Sequence, residues 1–202
     1  MPDSISALLD DLLRADFFLG QVRVTPAFEI HHAEDSPDAE LDIFRNPNDA
    51  VEIARYDDSA KYRPLKTEPN LRHGWKFVLS NATEIRLALD FLYPAALGTW
   101  LEHLQSKLRP VPLRETLARQ SGMYAIVRKL TDNQADEVIE SRCNPKTGCV
   151  RKILWNLAET RPSPFTIDPE TFASFDRKIP ILCAEACNLL VAAGREKVKS
   201  AR

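Results

Sequence analysis

The placement of the cysteines constrains this 202-residue chain more than any other feature of its sequence. All four fall in the last 60 residues, as two close pairs separated by 33 residues: Cys143 with Cys149, and Cys183 with Cys187. In a reducing compartment disulfides are disfavoured, whereas thiolates from separate segments can meet at one metal centre. The spacing therefore predicts a metal or redox centre in the last third of the chain.

Composition and charge exclude several classes of protein. No apolar run approaches the length of a transmembrane helix, and the first residues lack the basic patch of a secretory signal, so we expect a cytoplasmic protein without a membrane partner. Glycine is scarce and no Gly-rich phosphate loop occurs, which argues against Rossmann or P-loop nucleotide binding. Lys and Arg are dispersed outside any nucleic-acid motif, so nucleic acid is not an expected partner either.

The apolar periodicity predicts an α+β fold in two parts, a small N-terminal α+β stabilising domain over 1–110 and a mostly helical domain over 111–202. Pro110 and Pro112 mark the boundary, because proline ends a helix and stiffens the chain. In the first part, the pattern predicts helices over 4–14, 48–56, 81–92 and 95–108, and strands over 20–32 and 74–79. In the second part, it predicts helices over 113–120, 132–141, 150–158 and 183–199. The predicted helix caps are Asn48 or Asp49 for 48–56, Asn81 for 81–92, and Thr131 or Asp132 for 132–141.

Both cysteine pairs fall at the start of a predicted helix. On a helix, Cys183 and Cys187 would share one face, and Cys143 and Cys149 bracket a turn-forming loop. Helix N-termini favour thiolate over thiol. Two further sets of side chains favour an anionic centre here: cations at Arg142, Lys146, Arg151 and Lys152, and an apolar shell from Ile153, Leu154, Trp155, Leu189 and Leu190.

Three interpretations of the four cysteines remain open from spacing alone. The first is a [4Fe-4S] cluster with four cysteine ligands. The second is a structural zinc site with four cysteine ligands, for which the five-residue gap between Cys143 and Cys149 is atypical. The third is a set of buried core thiols without a ligand, which the clustering disfavours.

No catalytic residue can be assigned from the sequence. Neither a G-x-S-x-G nucleophile elbow nor an arguable Ser-His-Asp or Cys-His arrangement occurs. His31 and His32 would point to opposite faces of a strand, so both cannot easily bind one metal. His73 and His103 have no ligand at metal-binding spacing, and we interpret them as structural or solvated.

Five segments of the chain resemble the accessory half of certain CbiX-type cobaltochelatase-like proteins, in which a stabilising domain precedes a 4Fe-4S cluster-binding domain. The segments are RPLKTEPNLRHGW (63–75), LDFLYPAALGTWL (89–101), VPLRETLARQSGMY (111–124), CNPKTGCVRKILW (143–155) and PILCAEACNLLVAAGR (180–195). The two cysteine segments are the most specific part of this resemblance.

The resemblance implies that Cys143, Cys149, Cys183 and Cys187 hold one [4Fe-4S] cluster. It also implies an electron-transfer or redox accessory role linked to tetrapyrrole metabolism of the sirohydrochlorin or cobalamin type. The expected partner is then a CbiX-like chelatase or a redox protein. The chelatase domain and its metal-binding histidines are not expected in this chain, so chelatase activity is not carried over. The alternative is a non-redox structural or scaffolding module in which the four cysteines hold zinc or a structural cluster.

Overall fold

The structure, a computed structural model, describes residues 2–36, 39–56, 71–144, 146, 149–174 and 177–201. The chain divides into two compact units. The first comprises Met1–Lys107 with Phe175–Ile181, and the second Leu108–Ser174 with Leu182–Arg202. Helices and strands occur in both units, which confirms the predicted α+β class. Among the described residues, no helix combines the length and apolar character needed to cross a bilayer.

The described strands are short, and most belong to one sheet in the first unit. Their bounds are β1 Phe17–Leu19, β2 Val22–Val24, β3 Glu29–His32, β4 Asp42–Phe44, β5 Trp75–Val78, β6 Lys152–Ile153, β7 Lys178–Ile179 and β8 Leu182–Cys183. The first unit's sheet has the order β4-β5-β3-β2-β1-β7. Pairing is antiparallel for β1–β2, β2–β3 and β3–β5, and parallel for β4–β5 and β1–β7.

Alternation of buried and exposed residues explains the sheet. Val22 and Val24 are buried on either side of the half-buried Arg23, and Ile30 and His32 alternate with residues that are only half-buried. Such a period of two places one set of side chains in the core. The strands predicted within 20–32 and 74–79 are thereby confirmed, whereas β1 and β4 were not predicted from the sequence.

The helices of the first unit are α1 Ile5–Leu12, α2 Ala50–Arg55, α3 Ala82–Leu92 and α4 Ala96–Leu104. Asn81 caps α3 as predicted, since its side chain accepts a hydrogen bond from the Glu84 amide at 3.0 Å. Of the two caps predicted for α2, Asp49 occupies the N-cap position without a side-chain capping bond, and Asn48 lies in a short 3-10 turn that Asn46 caps.

The second unit contains α5 Leu113–Ala118, α6 Asp132–Cys143 and α7 Asn188–Ser200, with 3-10 helices over Gly122–Lys129 and Pro169–Ser174. Strands β6 and β8 pair in parallel over two residues each. Thr131 and Gln134 form a reciprocal capping box at the start of α6, which confirms Thr131 as one of the predicted caps.

The helix predicted over 150–158 is wrong. Lys152 and Ile153 form β6, and the following residues are extended or irregular. Ile153, Leu154, Trp155 and Leu157 are all buried, so burial alone does not distinguish a strand from a helix in this segment. A short apolar run satisfies both periodicities, and here the pairing with β8 decides between them.

Candidate metal centre

The four cysteines lie on four different parts of the second unit. Cys143 is the last residue of α6, and Cys149 follows the loop after it. Cys183 ends β8, and Cys187 occupies the N-cap position of α7. All four are thiols outside disulfides.

The prediction that each pair begins a helix is wrong. Cys143 ends α6 instead of starting a helix. Cys183 lies in β8, and its carbonyl accepts a hydrogen bond from the Leu154 amide at 3.0 Å. Cys183 and Cys187 therefore do not share a helix face. The helix begins only at Asn188, after the chain has left the strand pair, so Cys187 alone of the four lies at a helix N-terminus.

The fold nevertheless brings the four sulfurs together. Burial raises the pKa of the Cys143 thiol, and electrostatic interactions with Cys149, Cys187 and Cys183 raise it further. Cys143 belongs to the buried core of the second unit, and Cys183 and Cys187 pack against that core. Segments separated by up to 44 positions, counted from Cys143 to Cys187, thus supply thiols to one region.

Four thiols that converge from separate segments are a donor set that suits either a zinc ion or a [4Fe-4S] cluster.

Cys183 has the most fully defined surroundings of the four. The Trp155 indole Nε1–H donates to Cys183 Sγ at 3.3 Å, and the thiol donates to the Glu185 carbonyl at 3.2 Å. Burial raises the pKa of Cys183 to about 11, although the Trp155 hydrogen bond and the positive charge of Arg151 oppose this rise. Metal binding at this sulfur must therefore release a proton that the folded chain holds tightly.

The predicted cationic residues differ in their relation to the sulfurs. Arg151 acts electrostatically on Cys183. Lys146 is exposed, and its amide donates to the Asn144 side chain at 2.9 Å within the loop between the first cysteine pair. Arg142 is exposed near the end of α6, and Lys152 is half-buried in β6. Arg151 is accordingly the cation with a defined effect on a candidate ligand.

The apolar surroundings predicted for the centre are largely present. Ile153, Trp155 and Leu190 are buried in the same core as Cys143, and Leu154 is also buried. Leu189 is only half-buried, because it lies on the outer side of α7. A core of this kind limits the access of water to sulfur ligands.

Sequence reasoning missed a second cluster, in the first unit. The ring centroids of His32 and His73 lie 3.9 Å apart, and Asp35 is hydrogen-bonded to His73, so His73 has potential ligands beside it in the fold although none lies at metal-binding spacing in the sequence. Burial lowers the pKa of His32, and the adjacent His73 lowers it further. Only the antiparallel pairing of β3 with β5 brings these distant positions together, and the sequence carries no direct signal for it. His103, by contrast, packs against Trp100.

Comparison with protein families assigns both parts of the chain. Residues 2–104 match the DR2241 stabilising domain, and residues 105–196 match a 4Fe-4S iron-sulfur cluster binding domain. The first match spans half of the chain, so the chain belongs to the family of proteins with a DR2241 stabilising domain, and it continues into an iron-sulfur cluster binding domain.

A solved structure agrees with this assignment. DR2241 from Deinococcus radiodurans, described as a multi-domain protein with structural similarity to chelatases and two additional novel domains, superposes with a TM-score of 0.79 at 31% identity. The match covers 97% of this chain and 41% of DR2241, so the chain spans about two-fifths of that protein's length. Comparison with curated proteins gives no match.

Proposed function

We propose that the chain binds one [4Fe-4S] cluster through Cys143, Cys149, Cys183 and Cys187 and serves as an electron-transfer or redox accessory protein of tetrapyrrole metabolism. The observation that carries the proposal is the convergence of four thiols, from four separate parts of the fold, within the region that matches a cluster-binding domain. Four thiolates are the ligand set that a cubane cluster requires.

The sequence spacing supports the cluster over zinc, because the five-residue gap between Cys143 and Cys149 is atypical of paired zinc ligands. The alternative function, a non-redox module in which the four cysteines hold a structural metal, draws its support from Cys143, which is buried in the core of the second unit. The two functions use the same ligands and differ in the metal and in its redox activity.

The chain's own residues each have a task in this proposal. The cysteine thiols bind the irons after losing their protons, and the Trp155 Nε1–H donates to Cys183 Sγ at 3.3 Å and orients that ligand. Arg151 supplies positive charge beside the same sulfur. Ile153, Leu154 and Leu190 exclude water. When bound, the cluster would supply reversible one-electron chemistry.

The link to tetrapyrroles rests on the similarity to DR2241. That protein has structural similarity to chelatases, and this chain matches two-fifths of its length. We therefore infer that this chain works beside a chelatase-like domain or protein, or beside a redox partner of one. A cluster with four cysteine ligands leaves no iron open for substrate, which favours an accessory role over direct catalysis.

Anaerobic potentiometric titration followed by electron paramagnetic resonance tests the redox role. A reversible signal that appears on one-electron reduction, in protein that contains iron and sulfide, is the expected result. A cluster that no reductant changes without loss of iron would support the structural alternative. Adding the reduced and oxidised protein separately to a chelatase-like partner then tests the metabolic link, because a redox accessory changes the partner's rate in only one of the two states.

A further inference from the structure

Three potential metal ligands from the first unit meet at one end of its sheet. His32, Asp35 and His73 each offer a ligand atom, and these atoms lie within 4.8 Å of one another. His73 Nδ1 is 3.1 Å from Asp35 Oδ1, and the two imidazole centroids are 3.9 Å apart with an angle of 57° between the rings. This cluster is built entirely within the first unit and is separate from the four cysteines.

The topology of the sheet explains why these residues meet. Strands β3 and β5 are antiparallel, with His31 opposite Lys76, so the end of β3 lies beside the residues that lead into β5. His32 is the last residue of β3, and the chain then turns so that the Asp35 amide donates to the His32 carbonyl at 3.1 Å.

The Asp35 carboxylate is held in place by the turn before β5. The Gly74 amide lies 3.3 Å from both Asp35 oxygens and donates to them. Gly74 has a φ of +82°, a left-handed conformation that favours glycine and directs this amide toward the carboxylate. The Asp35 side chain is only 6% exposed, whereas that of His73 is 47% exposed. The cluster therefore combines a fixed, shielded carboxylate with a histidine open to solvent.

His32 gives the observation that points to a ligand. The residue is 1% exposed, and its Nε2 is buried without a hydrogen-bond partner among the residues that the structure describes. A buried polar atom left unpaired destabilises the folded state, so each such atom in a native structure needs an explanation, and a bound ion is one of them. A hydrogen-bonded cap between β3 and β5 would explain the contact of His73 with Asp35, but it leaves this nitrogen unexplained.

We propose that His32, Asp35 and His73 form a binding site for a divalent transition-metal ion, with Zn²⁺ the best match to the donors. Two imidazoles and one carboxylate are ligands that zinc prefers, and three protein ligands leave a position for water. Binding through His32 Nε2 places the ring proton on Nδ1. Nδ1 can then no longer accept the hydrogen bond that the Glu34 amide donates to it at 3.3 Å. That hydrogen bond is long and therefore weak, so metal coordination can replace it.

Cobalt titration of the full chain with its cysteine centre loaded tests the proposal. Cobalt bound by nitrogen and oxygen gives weak visible bands, whereas cobalt bound by cysteine adds intense sulfur-to-metal absorption. We expect one Co²⁺ per chain without that sulfur absorption, and its displacement by Zn²⁺. Absence of any Co²⁺ or Zn²⁺ binding, or binding only with sulfur absorption, would overturn the proposal.

Two variants and one control assign the ion to these side chains. His73→Ala, at a half-exposed side chain, and Asp35→Asn, which preserves shape, should each weaken Co²⁺ binding at least about tenfold. His31→Ala alters the adjacent histidine of β3, which lies outside the cluster, and should leave the affinity unchanged. Equal affinity in all three variants would contradict the site.

A second measurement makes the result independent of the cysteine centre. The imidazole ¹⁵N resonances of His32 and His73 should shift together on addition of Zn²⁺, whether or not the cysteines hold a cluster. Shifts confined to other histidines would contradict the assignment. Failure of the iron-sulfur proposal would leave this result unaffected.

Discussion

The two units of the molecule differ in the strand pairing and in the residues that form their cores. The first unit is organised around a six-stranded sheet whose backbone pairing is continuous, and its core includes the fully buried aromatic rings of Phe17, Trp75 and Phe77. The second unit pairs only two strands of two residues each among its described residues, and a buried cysteine belongs to its core. Sheet pairing and apolar packing stabilise the first unit, whereas the second brings its two cysteine pairs together across 33 intervening residues.

This difference shows where a bound centre adds most to stability. Binding at a site that the unfolded chain does not form contributes its free energy to folding, and one centre that joins both cysteine pairs closes the loop between them. We therefore expect the second unit to lose stability, while staying folded, without its centre, and the first unit to be largely unaffected by its loss. The predictions below test this contrast.

Loss of one ligand should have the largest effect. Cys183→Ser should lose the cluster and make residues 140–202 sensitive to protease, while residues 1–107 stay protected, because only the second unit is closed by the centre. Limited proteolysis with mass spectrometry of the fragments measures this. Asn188→Ala, at an exposed position beside Cys187, is the matched control and should keep both units protected. Unchanged protection of 140–202 in the serine variant would contradict the coupling.

Alkali should destabilise the metal-free protein through its buried thiols. The pKa of Cys183 rises from an ordinary value of 9.0 to about 11 on folding, so the unfolded chain loses this proton first. Stability from this group is fully present below about pH 9 and falls as pH rises toward 11, by on the order of 2 kcal/mol.

Urea unfolding of the metal-free chain across this pH range measures the loss. The Cys183→Ser variant is the control, because without the thiol the alkaline fall should become smaller. Lysines and tyrosines that titrate in the same range affect both proteins equally. If the free energy of unfolding falls equally with pH in the two proteins, the folded state does not stabilise the protonated Cys183 thiol over its thiolate.

Removal of the indole donor should shift the reduction potential by tens of millivolts. Trp155→Phe keeps an aromatic ring in a fully buried position but removes the hydrogen bond to Cys183 Sγ. A donor to the ligand sulfur stabilises the more negative reduced state, so the variant should have a lower potential. Roughly 59 mV corresponds to a tenfold shift in a one-electron equilibrium. Trp100→Phe in the first unit is the control, and equal potentials for both variants would contradict the role of Trp155.

The smallest expected effect is a difference in reduction potential between substitutions of two cations of the second unit. From sequence position, Lys146 is the natural candidate for tuning the potential, because it lies between the first two cysteines. The structure shows Lys146 exposed and gives Arg151 the electrostatic effect on Cys183. Arg151→Gln should therefore lower the potential more than Lys146→Gln, and added salt should abolish any Lys146 effect. Potentiometry at low and high salt decides this, and a larger effect of Lys146 would reverse the assignment.

Local sequence signals predicted those features that depend on neighbouring residues. The caps at Asn81 and Thr131 follow from side chains that bond amides three residues away, and both are present. The helix predicted over 150–158 failed because the partner strand, Leu182–Cys183, is distant in sequence. Because Cys183 belongs to this strand, α7 begins at Asn188 and not at the predicted residue 183.

Long-range strand pairing also explains why the sequence does not predict the histidine cluster of the first unit. The cysteines were conspicuous because all four are clustered near one end of the chain. His32 and His73 are separated by 41 positions and meet only because β3 pairs with β5. Antiparallel pairing of two such strands cannot be inferred from the residue types at these two positions.

Metal and sulfide analysis of anaerobically purified protein tests the central claim most directly. The four cysteines of the second unit should hold about four irons and about four acid-labile sulfides per chain. Iron and sulfide should disappear together in Cys183→Ser and persist in Asn188→Ala. One zinc per chain without sulfide, after anaerobic preparation, would contradict the cluster and leave a structural zinc site in its place.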